Sequence, residues 1–334
     1  MNRRSFLGLA AAGLGGLAVP RLLTAASLLD RGERLVERWS WAMGQPVHLT
    51  IFADTEDAGL EAASLALAEL RRVEAALSLF DPASDLVALN ERAGRGPVRV
   101  GPDLLAVLRR SEAFRALTRG AFDPAVEPLM RAWGFHAPRA GAPTAGELAS
   151  ARRAVKEARI KLGTVTASLL TGEARLDLGG IGVGYGLDRA AAVLRKAGIQ
   201  RALLDVSGDI VALGAPPGRA GWEVDIMTVP GPASARSVTL RDAAVATSSN
   251  TASVVRYGDI VSGHIMDPDR GTPAHALSQV SVVAATATEA DALSTAMLVS
   301  GRRARWWHRC VGRRAHVYSP CRILFPERPN PELI

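Results

Sequence analysis

Asp291, Ser294 and Thr295 stand three and four residues apart in the run Thr288-Glu289-Ala290-Asp291-Ala292-Leu293-Ser294-Thr295. In a helix that spacing puts their oxygens on one face. One carboxylate with two hydroxyls is an all-oxygen donor set, which suits Mg2+, an ion that takes few protein ligands and keeps positions open for water and phosphate. The same residues also read as a helix start. Thr288 with Asp291 has capping-box spacing, and Ser294 and Thr295 can bond back to the preceding turn. On spacing alone the cap is the simpler reading.

A second candidate is the run 177–188, where Gly179, Gly180, Gly182, Gly184 and Gly186 stand between a short strand and a helix expected over 187–197, closed by Gly198. Glycine N–H groups can approach phosphate oxygens, and a helix start attracts anions. The dinucleotide fingerprint does not fit, because its third glycine, counted from Gly182, falls on Leu187; no Gly-Lys-Ser/Thr is present either. Close packing of helix on sheet is the other use such glycines have. Ser207-Gly208-Asp209 and Ala246-Thr247-Ser248-Ser249-Asn250 follow apolar strands and either close turns or line a ligand. His264, in Gly263-His264-Ile265-Met266-Asp267-Pro268, can act as a base or satisfy a turn. The other histidines lack metal spacing, which argues against a histidine zinc site.

The elements that must hold these groups show in the hydrophobic pattern. Alternation marks strands over 48–52, 201–206, 222–227 and 279–284, and helical spacing marks 57–77, 102–117 (stopped by Gly120) and 289–299. Strands and helices mix without strict βαβ repetition, which predicts an α+β fold. The chain has 334 residues, 48% of them hydrophobic, enough for one large core. No Ser/Pro-rich linker divides it after Trp39, so one compact unit of two lobes is expected. Its +7 charge is carried by arginine, since Lys156, Lys161 and Lys196 are the only lysines. With 5% aromatics and few dense basic runs, nucleic-acid binding is not expected. Cys310 and Cys321 are the only cysteines, which excludes a disulfide framework or a cysteine-rich metal site and leaves one disulfide open.

Asn2-Arg3-Arg4-Ser5-Phe6-Leu7-Gly8 precedes an apolar run over 9–19 and small residues at Thr24-Ala25-Ala26. This reads as a twin-arginine leader over 1–26, taken by the twin-arginine export machinery to the periplasm. The run is about half the ~20 residues a membrane span needs. Retention at the inner membrane by an uncleaved leader is the alternative.

Taken in order, these stretches resemble the ApbE family, the FAD:protein FMN transferases. The resemblance rests on Ala42-Met43-Gly44, Ser78-Leu79-Phe80-Asp81 with 84–90, Gly120-Ala121-Phe122-Asp123-Pro124 with Trp133-Gly134-Phe135, 177–188, Ser207-Gly208-Asp209, Ala246-Thr247-Ser248, 264–273 and 290–295. It implies a compact, two-lobed, T-fold-related α+β domain with mixed sheets and packed helices over 39–301, followed by a divergent tail over 302–334. It further implies an FAD site of Met43, Phe80, Ala121, Phe122, Asp123, Asp177, Val183 and Ile265, and a Mg2+ site of Asp291, Ser294, Thr295 and the Gly180 carbonyl, which reverses the preference for the cap. The implied reaction has a threonine hydroxyl of an acceptor flavoprotein, in a membrane-associated redox complex, attacking the FMN-side phosphorus of FAD and releasing AMP. His264 is the candidate base, with Asp267 to hold it. The chain departs from the family at Phe80 (usually tyrosine), Val183 (usually lysine), Ser207 and Ser249 (both usually glycine). Val183 supports the alternative of a periplasmic FAD carrier without transfer. A Rossmann-type oxidoreductase is opposed by the failed fingerprint.

Overall fold

The computed structural model describes residues 18–20, 32–226, 236–251, 253–274, 279–301 and 322–324. Both cysteines, the twin arginines and most of the expected leader and tail lie outside them. Ala18–Pro20, within the expected leader, pairs antiparallel with the strand Trp222–Ile226, which also pairs with Arg236–Leu240.

A seven-stranded antiparallel sheet carries the fold: β1 Arg34–Ala42, β2 Gln45–Ala53, β3 Arg201–Val206, β4 Asp209–Leu213, β5 Ala243–Ser249, β6 Gln279–Ala284 and β7 Arg322–Leu324. Spatial order follows chain order from β7 to β1. Among the described residues, seven helices lie between the strands: α1 Glu56–Leu77, α2 Asp85–Glu91, α3 Pro102–Thr118, α4 Glu127–Ala132, α5 Ala145–Glu157, α6 Gly182–Lys196 and α7 Ala287–Ser300. Period-two alternation divides the sheet's faces. Val47, Leu49 and Ile51 of β2 point under α1 and α6, where Ala63, Ala66, Leu70, Leu187, Ala190 and Leu194 close the core. Phe52, Leu203 and Ile210 point the other way, onto Trp222, Val224 and Leu240 of the small sheet. The second lobe holds α2 and α3 over the short strands Val98–Arg99, Ile160–Leu162 and Thr166–Leu169. Beside it, α4 and α5 meet at Leu129, Trp133 and Val155. The α+β class read from the pattern is the observed one. No helix among the described residues is long and apolar enough to cross a membrane.

Two helix starts differ from the sequence reading. Expected over 187–197, α6 instead begins at Gly182 and runs through the glycines. Glycine carries no apolar signal and is a poor helix former, so periodicity could not show this turn. It is helical because α7 packs on it: a Cβ on Gly184 would lie 2.3 Å from the Ala287 carbonyl oxygen. The start of α7 is capped by Thr286, whose hydroxyl accepts from the Glu289 N–H at 3.2 Å, so Thr288 and Asp291 form no capping box. Asp188 of α6 completes that end, accepting from the N–H groups of Ala287 (2.8 Å) and Thr288 (3.0 Å). One carboxylate thereby satisfies two of the orphan donors at the start of α7.

Candidate active site

A cleft of about 680 Å3 opens between the β3–β4 turn, the end of β5, the loops around 121–123 and 264–268, and the faces of α6 and α7. Of the residues expected at the site, Ala121, Phe122, Asp123, Asp177, Gly180, Val183, His264, Ile265, Asp291 and Thr295 line it. The fold brings them together from segments spread over 175 residues only because α6 and α7 cross next to the sheet's end. Met43 and Phe80 do not line it. Met43 occupies the β1–β2 turn at φ 57 and packs its thioether over Gly186, between the two cores, so Gly44 and Gln45 face the cleft instead. Phe80 is 79% exposed and meets His136 edge-on at 6.0 Å, outside the lining.

The oxygen-rich corner is built by α7 against β5. Asp291, 6% exposed, accepts from the Gly184 N–H at 3.0 Å. The Ser294 hydroxyl donates to the Asp291 carbonyl at 2.9 Å, the back-bond that its position allows, and lies 2.7 Å from the Ser248 hydroxyl. With its one proton so used, Ser294 accepts from Ser248 and sits behind the wall. Ser248 faces the cleft, 3.2 Å from Thr295 Oγ1. Ser294, one of the expected ligands, is not in the cleft lining. Gly180 is close by, since a Cβ there would stand 3.0 Å from Thr295 Oγ1.

Asp209, missed in the sequence as a site residue, completes the corner. Burial, with a smaller push from Asp205, raises its carboxyl to about 7, although the Thr247 N–H donates to it at 3.1 Å. Asp291 is pushed well above the usual carboxylate range, first by burial and then by Asp209. Asp123, Asp177, Asp209 and Asp291 all line the cleft, whereas none of its lining residues among those described is lysine or arginine. Arg115 reaches Asp123 at 3.0 Å; burial is the larger influence there and lifts Asp123 to about 6. No cluster of three His, Cys, Asp or Glu among the described residues is spaced for a metal. A hard divalent cation fits the oxygen donors that line this corner, Asp291, Asp209, Thr295 and Ser248, with Gly180 against Thr295.

The glycine turn is already bonded within the protein. Gly179 N–H donates to Asp177 Oδ1 at 2.7 Å, Gly182 N–H to the Leu178 carbonyl at 2.7 Å and Gly184 N–H to Asp291. These glycines set close approach, and the phosphate cradle expected from their N–H groups is to that extent filled.

His264 offers a buried Nδ1 with no partner. Burial lowers its pKa, against opposing pulls from the Ser253 backbone and Asp177, so at neutral pH the ring is an uncharged proton acceptor. Asp267 does not hold it: its Oδ1 accepts from the N–H groups of Asp269 and Arg270, both at 3.0 Å, closing its own turn. The loop is held by Asn250, which accepts from the Ile265 N–H (2.7 Å) and donates to the Ala274 carbonyl (2.7 Å). Asp177 accepts from Gly179 on one oxygen and faces His136 Nε2 at 3.2 Å on the other.

The β3–β4 turn that brings Asp209 to the cleft has Ser207 at φ 52 and Gly208 at φ 97, the pair of positive values a two-residue primed turn requires. Ser207 therefore holds a conformation that favours glycine. Replacing Ser207 by glycine should stabilise the fold by about 0.5–1 kcal/mol, measured by denaturant melting. An unchanged or lower midpoint would contradict the strain.

The sequence profile described as the ApbE family matches residues 43–315. An FAD:protein FMN transferase of Treponema pallidum (strain Nichols) is 34% identical over 250 residues, covering 70% of this chain and 69% of that protein. One of the same name from Vibrio cholerae is 29% identical over 241 residues, covering 70% and 71%. Among solved structures, the ApbE protein of Thermotoga maritima superposes with TM-score 0.75 at 27% identity, covering 83% of this chain and 90% of that one. The flavin transferase ApbE of Vibrio cholerae gives TM-score 0.70 at 27% identity, covering 81% and 88%.

Proposed function

This chain belongs to the ApbE family, and we propose that it transfers the FMN half of FAD to a threonine hydroxyl of an acceptor flavoprotein, releasing AMP. The observation that carries the reading is buried Asp291 and half-buried Asp209 with Thr295 and Ser248, in a cleft lined, among the described residues, by four carboxylates and no lysine or arginine. A pyrophosphate cannot lie against those carboxylates unless a cation comes with it. The relatives' shared name supports the same substrate.

Asp291 and Asp209 would hold Mg2+ with Thr295, Ser248 and the Gly180 carbonyl. Bound there, the ion supplies positive charge against the pyrophosphate in a transfer that needs positioning and neutralisation more than covalent help. His264 Nδ1 takes the threonine proton as the hydroxyl oxygen bonds to the FMN-side phosphorus. The bond from that phosphorus to the bridging oxygen breaks, and AMP leaves with the electron pair. Phe122 and Ile265 give the cleft an apolar wall, which excludes water from the phosphorus.

The test is incubation of the purified protein with FAD, Mg2+ and a co-expressed threonine-containing acceptor, reading the acceptor's mass for added FMN and the solution for AMP. Bound FAD with neither product would favour the carrier reading, which draws on the same uncharged Val183 in the lining. Val183→Lys is expected to raise transfer by about tenfold by placing a cation at the pyrophosphate; an unchanged rate would show that the cleft needs no cationic side chain.

The acceptor is proposed to belong to a membrane-associated redox complex reached from the periplasm. Arg3-Arg4 before a short apolar run supports export by the twin-arginine route. Changing both to lysine should leave precursor in the cytoplasm. Normal periplasmic accumulation in fractionated cells would reject that route.

A further inference from the structure

Among the described residues, His136 is a strongly perturbed histidine that the reaction above leaves unused. It follows the Trp133-Gly134-Phe135 turn after α4, with its side chain only 10% exposed. Its Nε2 lies 3.2 Å from Asp177 Oδ2 and its Nδ1 3.5 Å from Glu127 Oε1, and those two carboxylates are 12% and 2% exposed. Phe80 covers the ring from outside. We propose that His136 is a positioning residue, an imidazolium wedged between Glu127 and Asp177 that fixes the 177–180 floor of the cleft under the pyrophosphate of FAD. The inference rests on the flavin reading of that cleft.

Asp177 ties three segments together. Its N–H donates to the Pro124 carbonyl at 2.8 Å, its Oδ1 takes the Gly179 N–H, and its Oδ2 takes His136. Fixing that carboxylate fixes the backbone that runs on into Gly180, which abuts Thr295. The neighbouring cations are committed elsewhere, Arg115 to Asp123 and Arg131 to Glu127 at 2.6 Å. Among the described residues, the ionisable groups acting on Asp177 are His136 and, beyond it, His264. Burial opposes charge on His136, but the two carboxylates prevail and hold its pKa at about 9. Against its own burial, Asp177 is kept below the usual carboxylate range chiefly by His136. A neutral side chain at 136 would remove the cation between the two carboxylates, leaving Glu127 to Arg131 and the Asp177 carboxylate to the Gly179 N–H alone, which loosens the floor.

The experiment is titration of FAD, FMN and riboflavin by flavin fluorescence on wild type and variants, each checked by thermal melting. His136→Gln should weaken FAD about tenfold and riboflavin little, because only FAD has a pyrophosphate on the floor. His136→Lys, which can put an ammonium between the same carboxylates, should stay within about threefold of wild type. His136→Gln and Asp177→Asn should be non-additive when combined. In wild type the cation is present below pH 9 and lost above it, so FAD affinity should fall as pH rises through about 9 and stay level there in His136→Lys. That pH titration needs no variant, so a His136→Gln protein that fails to fold leaves the decision to it. Equal loss of all three flavins, additive effects, or wild-type FAD affinity flat through pH 9 would overturn the assignment. A wild type that binds no flavin would overturn the flavin reading itself, a distinct result.

Discussion

Asp291→Asn is expected to cut FMN transfer at least about a hundredfold while the protein folds normally. Asparagine keeps the shape and an oxygen for the Gly184 N–H, so the α6–α7 contact survives. What it removes is the negative charge that would draw a divalent cation to Thr295 and Ser248. Stability in metal-free buffer should move the other way. The folded Asp291 carboxyl sits above its ordinary 3.8, so the native state binds the proton more tightly than the unfolded chain, and stability falls as pH rises past 3.8 toward the raised value. The uncharged asparagine does not pay that penalty, so the variant should melt higher than wild type at neutral pH without metal, and Mg2+ should close the gap by raising wild type alone. A variant with wild-type Mg2+-dependent transfer would sink the metal corner. One that melts lower in chelator would show that Asp291 acts through its hydrogen bond and not its charge.

Gly184→Ala should destabilise the fold by about 3 kcal/mol. In an ordinary helix interior the substitution would gain up to about 1 kcal/mol. Here the new Cβ would stand 2.3 Å from the Ala287 carbonyl oxygen and 2.9 Å from Asp291 Cβ, both on an opposing helix with no flexible end to give way. The helices must part, and Asp291 moves with α7. Gly146→Ala in α5 is the control, because nothing lies within 4 Å of a Cβ there. Urea midpoints should shift in opposite directions for the two variants. A neutral Gly184→Ala would mean that α6 and α7 are not held as close as they stand.

How far the sequence spoke depended on where the signal was local. The alternation of 201–206 and 279–284 gave β3 and β6 their observed bounds, because each alternates cleanly between two buried faces. The strand β1 went unread, since Glu37, Arg38 and the exposed Trp39 blur its pattern on the solvent side. The first turn of α6 was hidden by its glycines, whose helical state is imposed by α7. Asp291 and Thr295 were legible because they share a helix face. Ser294 stands beside them yet bonds back to the Asp291 carbonyl, outside the cleft lining, and Ser248 of β5, which its spacing did not single out, lines the cleft. Asp209 stood in a turn that reads equally well as a turn alone. His136 gave no local signal, because its meaning comes from Asp177 and Glu127, brought to it only by the fold.

In the seven-stranded sheet β2 has one neighbour, β1, across a two-residue turn and another, β3, only after all of α1 through α6. The first pairing can form in microseconds; the second must wait until an entire lobe has been gathered, since loop closure over such a span is an entropic cost met before any contact rewards it. The cleft straddles this late seam, with Gly44 and Gln45 on one side of it and Ser207 and Asp209 on the other. No fragment cut between β2 and β3 therefore carries half a working site, and a flavin that spans the seam acts as a staple. Flavin bound across the seam would spend its binding energy there, so ligand should slow global unfolding by retarding the parting of β2 from β3, while the β1–β2 hairpin exchanges its amide protons at an unchanged rate.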